Sequence, residues 1–435
     1  MSEPGSGDSR RITVDLLTRV EGEGALTLRT RGGELESCEL RIFEPPRFFE
    51  AFLVGRHWTE APDITARICG ICPVAYQMSA CHAMEAMAGV RIDGPLRDLR
   101  RLLYCGEWIE SHGLHVGMLQ LPDFLGYPDA IAMARDHPEL VRTTLRLKQT
   151  GNRVMRTLGG REIHPVNVRL GGFYRLPARA DLQALVPELE WALDAARGLA
   201  ERIAELEFPD FHQDYELVAL VHPDEYPFNE GRLVSTAGID VPVGRYDEVL
   251  VEHQSPHSTA LHTATARGTP VLMGPLARYA LNHERLTPLA RETAARIGLG
   301  AVVDNPFRAI CVRLVEIVFA CEEALRILRG TVSADQAAVP VPLRAGTGCG
   351  ATEAPRGLCY HRYRVDADGL ITEAKIVAPT SVNQARIEAD LRALLAGELS
   401  RPDDELRFLC ERAIRNYDPC ISCATHFLDL RVERS

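Results

Sequence analysis

The chain has 435 residues, of which 46% are hydrophobic and 25% are charged, and this composition is typical of a soluble globular protein. A formal net charge of -11 argues against a nucleic-acid partner, because phosphate recognition needs a basic face. The first residues lack the apolar segment of a signal peptide, and no apolar stretch approaches the roughly 18 residues that would suggest a membrane span. We therefore expect a cytoplasmic chain with one large domain or two closely packed domains.

Strands are predicted first along the chain, followed by a helical region. Residues 1–10 are expected to be disordered, and the alternating pattern from Arg11 to Phe43 predicts strands joined by a tight turn at Gly32-Gly33. Apolar residues then recur at helical spacing from Pro73 to about Ala88, and again from Pro95 to about Gln120. A small sheet should therefore precede the first long helices.

Helices and short strands alternate in the rest of the chain. Helices are predicted near 134–157 and 180–206, and the range 215–275 is predicted to be an irregular, β-containing insertion. Asn305-Pro306 is a start signal for a strongly apolar core helix. A second hairpin is turned by Asp368-Gly369, and two short helices follow it. The predicted fold class is therefore mostly α with peripheral small β-sheets (α+β).

Two Cys-x-x-Cys pairs lie near opposite ends of the chain, Cys69 with Cys72 and Cys420 with Cys423. Two residues between thiols let both sulfurs face one ion, and thiolates select soft or borderline metals such as zinc, nickel and iron. One such pair alone would favour a structural zinc knuckle or a redox dithiol. A zinc ribbon brings its halves together over a short stretch, whereas almost the whole chain separates these pairs. We therefore predict a four-thiolate site assembled by the global fold.

Around these cysteines the sequence closely resembles the large subunits of NiFe hydrogenases, whose signatures are R-x-C-G-x-C near the N terminus and D-P-C-x-x-C-x-x-H at the C terminus. The resemblance covers nearly the full length of the chain. Further matching stretches are Arg19-Val20-Glu21-Gly22, Phe48-Phe49-Glu50-Ala51-Phe52-Leu53, His112 and His115 followed by Pro122-Asp123-Phe124, His164-Pro165 with Gly171-Gly172, Glu353-Ala354-Pro355-Arg356-Gly357, and Ala378-Pro379-Thr380-Ser381 with Asn383.

The resemblance implies the NiFe hydrogenase large-subunit fold, with a central helical bundle, as a nickel-dependent hydrogenase domain over residues 11–426. It also implies that a C-terminal tail, residues 427–435, is removed by a maturation endopeptidase after nickel insertion. The alternative for this tail is an uncleaved C-terminal strand or coil.

The resemblance further implies a nickel-iron centre held by the four cysteines. Cys69 and Cys420 would bind nickel terminally, and Cys72 and Cys423 would bridge nickel to an iron that carries carbon monoxide and two cyanide ligands. Dihydrogen would be split heterolytically, with the proton passing to the Cys420 thiolate and then to Glu21. Without the family, a glutamate beside a β-turn is usually a solvated surface charge.

A structural magnesium ion is the second implied metal. Glu50, the backbone carbonyl near Ile376 and His426 correspond to its ligands in the family. Hard oxygen ligands suit magnesium, whereas a histidine ligand is unusual and needs a hydrogen-bond partner that fixes its tautomer.

Several polar residues correspond to the surroundings of the nickel-iron centre. Arg356 matches the arginine held over the open coordination position, and Thr380 or Ser381 matches the hydroxyl that hydrogen-bonds a cyanide. Without the family, Arg356 would be a loop cation and Thr380 a turn residue. His112 and His115 lie one helical turn apart, and the resemblance implies that they support the site without binding metal.

Three positions depart from the pattern of many relatives. Tyr76 stands where many have histidine, Ser111 where many have aspartate and Glu23 where many have histidine. Ser111 leaves the site arginine without a carboxylate partner on that side. These departures resemble the cytoplasmic NAD(P)-linked or sulfhydrogenase-like branch, in which a small iron-sulfur subunit and flavin-containing diaphorase subunits complete the enzyme. No dinucleotide-binding fingerprint stands out in this chain, so a nicotinamide site would belong to those partners.

The remaining cysteines have no pair spacing, and most are expected to be small buried hydrophobic residues: Cys38, Cys81, Cys105, Cys311, Cys321, Cys349, Cys359 and Cys410. Electrons must therefore leave through a separate subunit that carries iron-sulfur clusters. Two alternatives remain, a non-catalytic relative akin to the quinone-site subunit of respiratory complex I and a structural zinc protein. The former lacks the four cysteines, and the latter leaves the matches at Glu21, Glu50 and Arg356 unexplained.

Overall fold

Helices make up the centre of the molecule. The structure is a computed structural model that describes residues 9–330 and 334–425. The α-helices of these ranges are α1 (Phe49–Leu53), α2 (Ala61–Thr65), α3 (Pro73–Ala88), α4 (Gly94–Leu114), α5 (Leu121–Leu125), α6 (Ala130–Asp136), α7 (Pro138–Gly159), α8 (Arg179–Gln183), α9 (Val186–Ala204), α10 (Tyr246–Val249), α11 (Pro275–Asn282), α12 (Pro288–Arg296), α13 (Ala309–Arg329), α14 (Pro379–Leu395) and α15 (Asp403–Arg415).

The central bundle consists of α4, α7, α9 and α13, which pack against one another. Most side chains of α13 are buried, because its sequence is apolar on nearly every face. The chain enters this helix through a 3-10 turn at Pro306–Arg308, where the side chain of Asn305 accepts a hydrogen bond from the N–H of Phe307 at 3.0 Å. At the crossing of α4 and α7, a Cβ on Gly151 would lie 2.4 Å from the backbone nitrogen of Glu110, so only glycine permits this approach.

Small sheets surround the bundle. The strands are β1 (Ser9–Val14), β2 (Gly24–Arg31), β3 (Glu34–Ile42), β4 (Val168–Arg169), β5 (Gly172–Phe173), β6 (Glu216–Val221), β7 (Arg232–Ser235), β8 (Asp240–Pro242), β9 (Leu250–Gln254), β10 (Leu261–Thr265), β11 (Val271–Leu272), β12 (Gly346–Ala354), β13 (Gly357–Val365) and β14 (Ile371–Val377). The sheet orders are β1-β2-β3, β4-β5, β11-β6-β7-β8, β10-β9 and β12-β13-β14. The prediction of a mostly helical protein with small peripheral sheets is confirmed.

Both hairpin turns lie where they were predicted, at Gly32-Gly33 and at Asp368-Gly369. Arg31 pairs with Glu34 across the Gly32-Gly33 turn, and both glycines have positive φ, which they adopt without steric cost. The N-terminal boundary differs from the expectation for residues 1–10, because Ser9 and Arg10 already belong to β1. The guanidinium of Arg10 contacts Asp403 and two backbone carbonyls, and these contacts order the strand start.

The predicted helix from Pro95 to Gln120 has two parts. The α-helical part, α4, ends at Leu114 and continues as a π-helical turn over His115–Gln120. Such turns are rare and often lie at functional sites. The helices predicted near 134–157 and 180–206 are each divided in two, the first into α6 and α7 and the second into α8 and α9. In the described part of the chain, no helix combines the length and the apolar character needed to cross a membrane.

Two loops from opposite ends of the chain meet beside the bundle. The first loop connects α2 to α3, and the second follows α15. The second loop is joined to the N-terminal region by a β-bridge between Glu21 and Cys420. Helix α3, which follows the first loop, packs closely on β12, where a Cβ on Gly350 would lie 2.4 Å from the carbonyl oxygen of Ser79. The fold thus brings both Cys-x-x-Cys pairs into the interior.

Candidate metal centre

The four paired cysteines form one buried cluster. The Sγ atoms of Cys69 and Cys420 are 3.6 Å apart, and those of Cys72 and Cys423 are 3.9 Å apart. Metal-sulfur bonds of about 2.3 Å place the sulfurs of a tetrahedral site about 3.8 Å apart. All four sulfurs lie within 4.8 Å of one another, with Cys420 and Cys423 closest at 2.6 Å. Each cysteine is a free thiol and at most 4% exposed, so the cluster fits a bound metal centre.

The protonation of the cluster also favours a bound cation. Hydrogen bonds from Cys420, Cys423 and Cys72 lower the pKa of Cys69. Burial raises the pKa of Cys420 well above its usual value, and its thiol neighbours raise it further. One thiolate is therefore stabilised at the expense of the others. Holding several thiolates together in this buried space requires a positive charge among them.

The first cysteine loop is held mainly by its own backbone and by one helix. The N–H groups of Ile71 and Cys72 donate to the Sγ of Cys69 at 3.3 and 3.2 Å. Pro73 then starts α3, whose first N–H groups need acceptors. The carboxylate of Glu107, on α4, accepts from Val74 at 2.6 Å and from Ala75 at 3.2 Å.

The second cysteine loop is held by side chains from distant parts of the chain. Glu21 Oε2 lies 3.0 Å from the Sγ of Cys420 and accepts from the N–H of Ser422 at 3.1 Å. The backbone carbonyl of Glu21 accepts from the N–H of Ile421 at 2.9 Å. Thr380 Oγ1, in the first turn of α14, accepts from the N–H of Cys420 at 2.9 Å. Cys420 is thus fixed at its sulfur and at its backbone.

A buried arginine-aspartate pair closes this side of the site. Arg356 donates from Nε to the carbonyl of Asp418 at 2.8 Å and from Nη2 to its Oδ1 at 3.1 Å. Its Nη1 lies 3.5 Å from the hydroxyl of Ser111, which stands where many relatives have aspartate. Burial lowers the pKa of Arg356, but Asp418 and the cysteines raise it well above its usual value. Asp418 therefore supplies the carboxylate that Ser111 does not.

The two histidines of α4 and its π-helical turn contact other helices. His112 Nε2 lies 2.9 Å from a carboxylate oxygen of Glu316 on α13, and Arg278 donates to the same carboxylate. His115 Nε2 lies 2.8 Å from the carbonyl of Arg415 on α15. Burial lowers the pKa of His112 to about 4, and burial also lowers the pKa of His115 well below its usual value. Both imidazoles are therefore neutral and connect the helices that carry the site.

Two of the three predicted magnesium ligands are adjacent in the structure. Glu50 Oε1 accepts a hydrogen bond from the N–H of Ile376 at 2.7 Å. Burial raises the pKa of Glu50 to about 8, and the nearby Glu252 carboxylate raises it as well. A bound cation would favour the charged form of this half-buried carboxylate, which is consistent with a hard metal at this position. His426, the third predicted ligand, lies outside the described residues.

Other predicted residues have different environments. Ser381 is buried beside Thr380 in the first turn of α14. Arg67, the arginine of the R-x-C-G-x-C signature, is exposed. Tyr76 is fully buried, with its ring 5.8 Å from that of His361, and its hydroxyl has no hydrogen-bond partner among the described residues.

Arg47 joins the two cysteine loops and was not predicted from the sequence. Its guanidinium donates to the carbonyl of Ile68 at 2.7 Å and also contacts the carbonyl of Ser422. The hydroxyl of Ser422 in turn donates to Glu44 at 2.8 Å. The only sequence signal for Arg47 and Glu44 is their position just before the Phe48 to Leu53 stretch that matches the family.

A second unpredicted group consists of Arg19, Asp123 and Arg415. It stabilises the end of α15, which leads into the second loop. Arg415 donates to both carboxylate oxygens of Asp123 at 2.7 and 2.9 Å, and Arg19 contacts the same carboxylate. Arg19 and Asp123 belong to stretches that match the family, and this match was the available signal. The group links the N-terminal region, α5 and α15.

Comparisons with known proteins agree with this geometry. The family model described as nickel-dependent hydrogenase matches residues 47–143 and 265–426, more than half of the chain. The sulfhydrogenase 1 subunit alpha of Pyrococcus furiosus is 32% identical, with 96% of this chain and 98% of the relative covered. The NAD-reducing hydrogenase HoxS subunit beta of Cupriavidus necator is 27% identical over 97% of this chain and 95% of its own. A solved NAD+-reducing NiFe hydrogenase in the H2-reduced state matches with a TM-score of 0.87 and 30% identity, over 96% of this chain and 99% of that chain.

Proposed function

Since the chain belongs to the nickel-dependent hydrogenase large subunits, we propose that it is the catalytic subunit that splits dihydrogen reversibly and heterolytically into protons and electrons. The observation that carries this proposal is the buried cluster of four cysteines with a carboxylate, Glu21, 3.0 Å from one of the sulfurs. A structural zinc site needs the thiolates but has no use for a proton acceptor at one of them.

The four cysteines hold the centre in this proposal. Cys69, Cys72, Cys420 and Cys423 would hold the nickel and the iron, and the iron would carry carbon monoxide and two cyanide ligands. When bound, the nickel-iron centre supplies a Lewis acid that polarises dihydrogen and accepts its electrons.

The chain itself moves the proton. The sulfur of Cys420 accepts it, and Glu21 Oε2 takes it over the 3.0 Å hydrogen bond. The N–H of Ser422 fixes that oxygen at 3.1 Å, so the carboxylate stays aligned with the sulfur. Cys420 is buried, whereas Glu21 is partly exposed. The pair therefore connects the interior of the site to the outer part of the molecule.

Arg356, Thr380 and Ser381 supply hydrogen-bond donors to the diatomic ligands and the open coordination position. Asp418 holds the guanidinium of Arg356 rigidly, because the pair is buried and joined by two hydrogen bonds. Thr380 accepts from the N–H of Cys420, so its own O–H is left to donate. A fixed guanidinium and a fixed hydroxyl lose little entropy when they bind an anionic ligand.

A structural magnesium ion completes the metal content of the chain in this proposal. Glu50 would supply the carboxylate, and the carbonyl near Ile376 and the side chain of His426 would supply the other protein ligands. The raised pKa of the half-buried Glu50 supports this assignment.

Further subunits complete the enzyme, which we place in the cytoplasm. A small subunit with iron-sulfur clusters receives the electrons, and flavin-containing diaphorase subunits pass them to NAD(P). Two relatives, a sulfhydrogenase alpha subunit and a subunit of an NAD-reducing hydrogenase, support this assembly. A maturation endopeptidase removes residues 427–435 from the hydrogenase domain.

The test is turnover by the complex purified without air from its native host. We expect nickel and iron in the large subunit and hydrogen-dependent reduction of both a viologen dye and NAD+ or NADP+. Reduction of the dye alone would contradict the diaphorase partner. A complex that contains nickel and iron but reduces neither acceptor would contradict the catalytic assignment.

A further inference from the structure

A second group of metal-ligand side chains lies where the β9–β10 hairpin packs on α14. The ligand atoms of His257, His262 and Glu388 all lie within 4.8 Å of one another. His257 Nε2 is 2.6 Å from Glu388 Oε1. None of the three belongs to the cysteine cluster or to the predicted magnesium site.

The three side chains are largely shielded from solvent. His262 is 4% exposed, and the side chains of His257 and Glu388 are 21% and 12% exposed. Most important, the Nε2 atom of His262 is buried and has no hydrogen-bond partner among the described residues. A buried nitrogen without a partner costs free energy, so a fold that retains one is unusual unless a ligand satisfies it.

Backbone and side-chain contacts preorganise the group. His262 lies on β10, and Gln254 at the end of β9 donates to the carbonyls of Ser255 and Ser258 in the connecting loop. Ser255 Oγ lies 3.0 Å from Nδ1 of His257, which leaves Nε2 directed at Glu388. Such a contact to the second ring nitrogen is what fixes the tautomer of a metal-binding histidine.

The chemistry of the donors selects the ion. Two imidazole nitrogens and one carboxylate oxygen are a common ligand set of zinc sites that bind water as the fourth ligand. Burial and the nearby His257 and His253 together lower the pKa of His262 to about 4. Ligands about 2.0 to 2.1 Å from a tetrahedral ion lie about 3.3 Å apart, so His257 and Glu388 must separate slightly on binding.

We propose that His257, His262 and Glu388 form a separate binding site for a divalent cation of the zinc class. The ion ties the β9–β10 hairpin to α14. Helix α14 also carries Thr380, which contacts Cys420, so the ion stabilises the helix that supports the catalytic loop. The role of the ion is structural and is independent of dihydrogen chemistry.

The test uses the purified hydrogenase complex with its nickel-iron centre in place. The complex is equilibrated with zinc ions and freed of excess, and the zinc content and the zinc X-ray absorption spectrum are measured. We expect one zinc ion per large subunit, with nitrogen and oxygen neighbours at about 2.0 to 2.1 Å and no sulfur at about 2.3 Å. The sulfur distance distinguishes this site from a cysteine cluster that has taken up zinc by mistake.

The variants His262→Gln and Glu388→Gln should lose this zinc while they keep the nickel content of the native complex. The matched control is His283→Gln, a partly buried histidine outside the group, which should keep the zinc. Zinc should also raise the thermal midpoint of the native complex and of the control, but not those of the two variants. Native complex without zinc, zinc with sulfur neighbours alone, or variants that retain the zinc would each overturn the proposal.

Discussion

The two cysteine loops contribute the same residue type to one site, but they are stabilised in different ways. Cys69 accepts hydrogen bonds from the N–H groups of the next turn, and one carboxylate, Glu107, caps the helix that follows. The loop of Cys420 instead depends on Glu21 and Thr380. Along the chain, Glu21 is 399 residues from Cys420 and Thr380 is 40 residues from it. The first loop is thus largely local in origin, whereas the second requires the assembled fold.

This difference indicates that the two loops have different roles, one mainly in catalysis and the other mainly in stability. The polar side chains that hold the second loop are also the ones that receive the proton and face the diatomic ligands in our proposal. The first loop is contacted by the capping carboxylate of Glu107 and by Arg47, which donates to the carbonyl of Ile68. Substitutions around the second loop should therefore change catalysis, and those behind the first loop should mainly change stability.

The largest effect is expected at the cysteines, where the two loops are equivalent. Cys423→Ser should abolish dihydrogen turnover while the polypeptide remains soluble, because a hydroxyl is a poor ligand for nickel and iron. Turnover and nickel content are measured by dye reduction and metal analysis. Cys410→Ser, a buried cysteine of α15 outside the cluster, is the control and should retain turnover. Full activity in Cys423→Ser would refute the bridging role.

A large but incomplete loss is expected when the proton acceptor of the second loop is removed. Glu21→Gln keeps an oxygen that accepts from the N–H of Ser422, but the amide cannot take a proton from Cys420. We expect turnover to fall by about 100-fold or more with the nickel content unchanged, as for loss of a general base. The exposed Glu23→Gln, two residues away, is the control. Unchanged turnover in Glu21→Gln would place the proton path elsewhere.

A similar or smaller loss is expected at the buried arginine. Arg356→Lys keeps the charge but cannot make both hydrogen bonds to Asp418. Turnover should fall by about 100-fold, in the range for loss of one aligned donor. Arg67→Lys changes an exposed arginine near the first loop and should leave turnover within error of the native enzyme. Equal losses in both variants would remove the functional distinction between the loops.

The smallest effect is expected on the free energy of unfolding, at a glutamate of α4, the helix that also carries Glu107. Glu110 on α4 forms an ion pair with Lys148, yet burial raises its pKa to about 7. The neutral form is therefore favoured in the folded state, and this stability is present below about pH 4.5 and lost as the pH rises through about 7. The native chain should lose up to about 3 kcal/mol over this range, a loss that Glu110→Gln avoids.

Thermal midpoints at pH 5 and pH 8 measure this difference. The midpoint of the native protein should fall more than that of Glu110→Gln, and turnover at constant pH should be nearly equal in the two. Glu139→Gln, which removes an exposed ion pair on α7, should behave like the native protein. Parallel pH profiles for the native protein and Glu110→Gln would show that Glu110 is ionised throughout.

Local features of the fold were predictable because they depend on neighbouring residues. The turns at Gly32-Gly33 and Asp368-Gly369 need backbone conformations that glycine adopts freely, and Pro73 and Asn305-Pro306 are local signals for helix starts. The spacing of the cysteine pairs likewise predicts a metal site from the sequence alone. These predictions required no knowledge of the tertiary structure.

Features that depend on tertiary contacts were not predictable from the residues. The contacts of Arg47 with both loops and the pairing of Arg356 with Asp418 join parts of the chain that only the fold brings together. The resemblance implies Ile376 as a magnesium ligand through its carbonyl. In the structure the N–H of Ile376 donates to Glu50, a contact that depends on the packing of α1 against β14.

The central claim is that the four buried cysteines hold a nickel-iron centre with diatomic ligands. The direct measurement is an infrared spectrum of the complex, purified without air from its native host, in the region where metal-bound carbon monoxide and cyanide stretch. We predict one carbonyl band and two cyanide bands, all absent from Cys423→Ser. A spectrum without these bands, from a complex whose nickel content is complete, would contradict the claim.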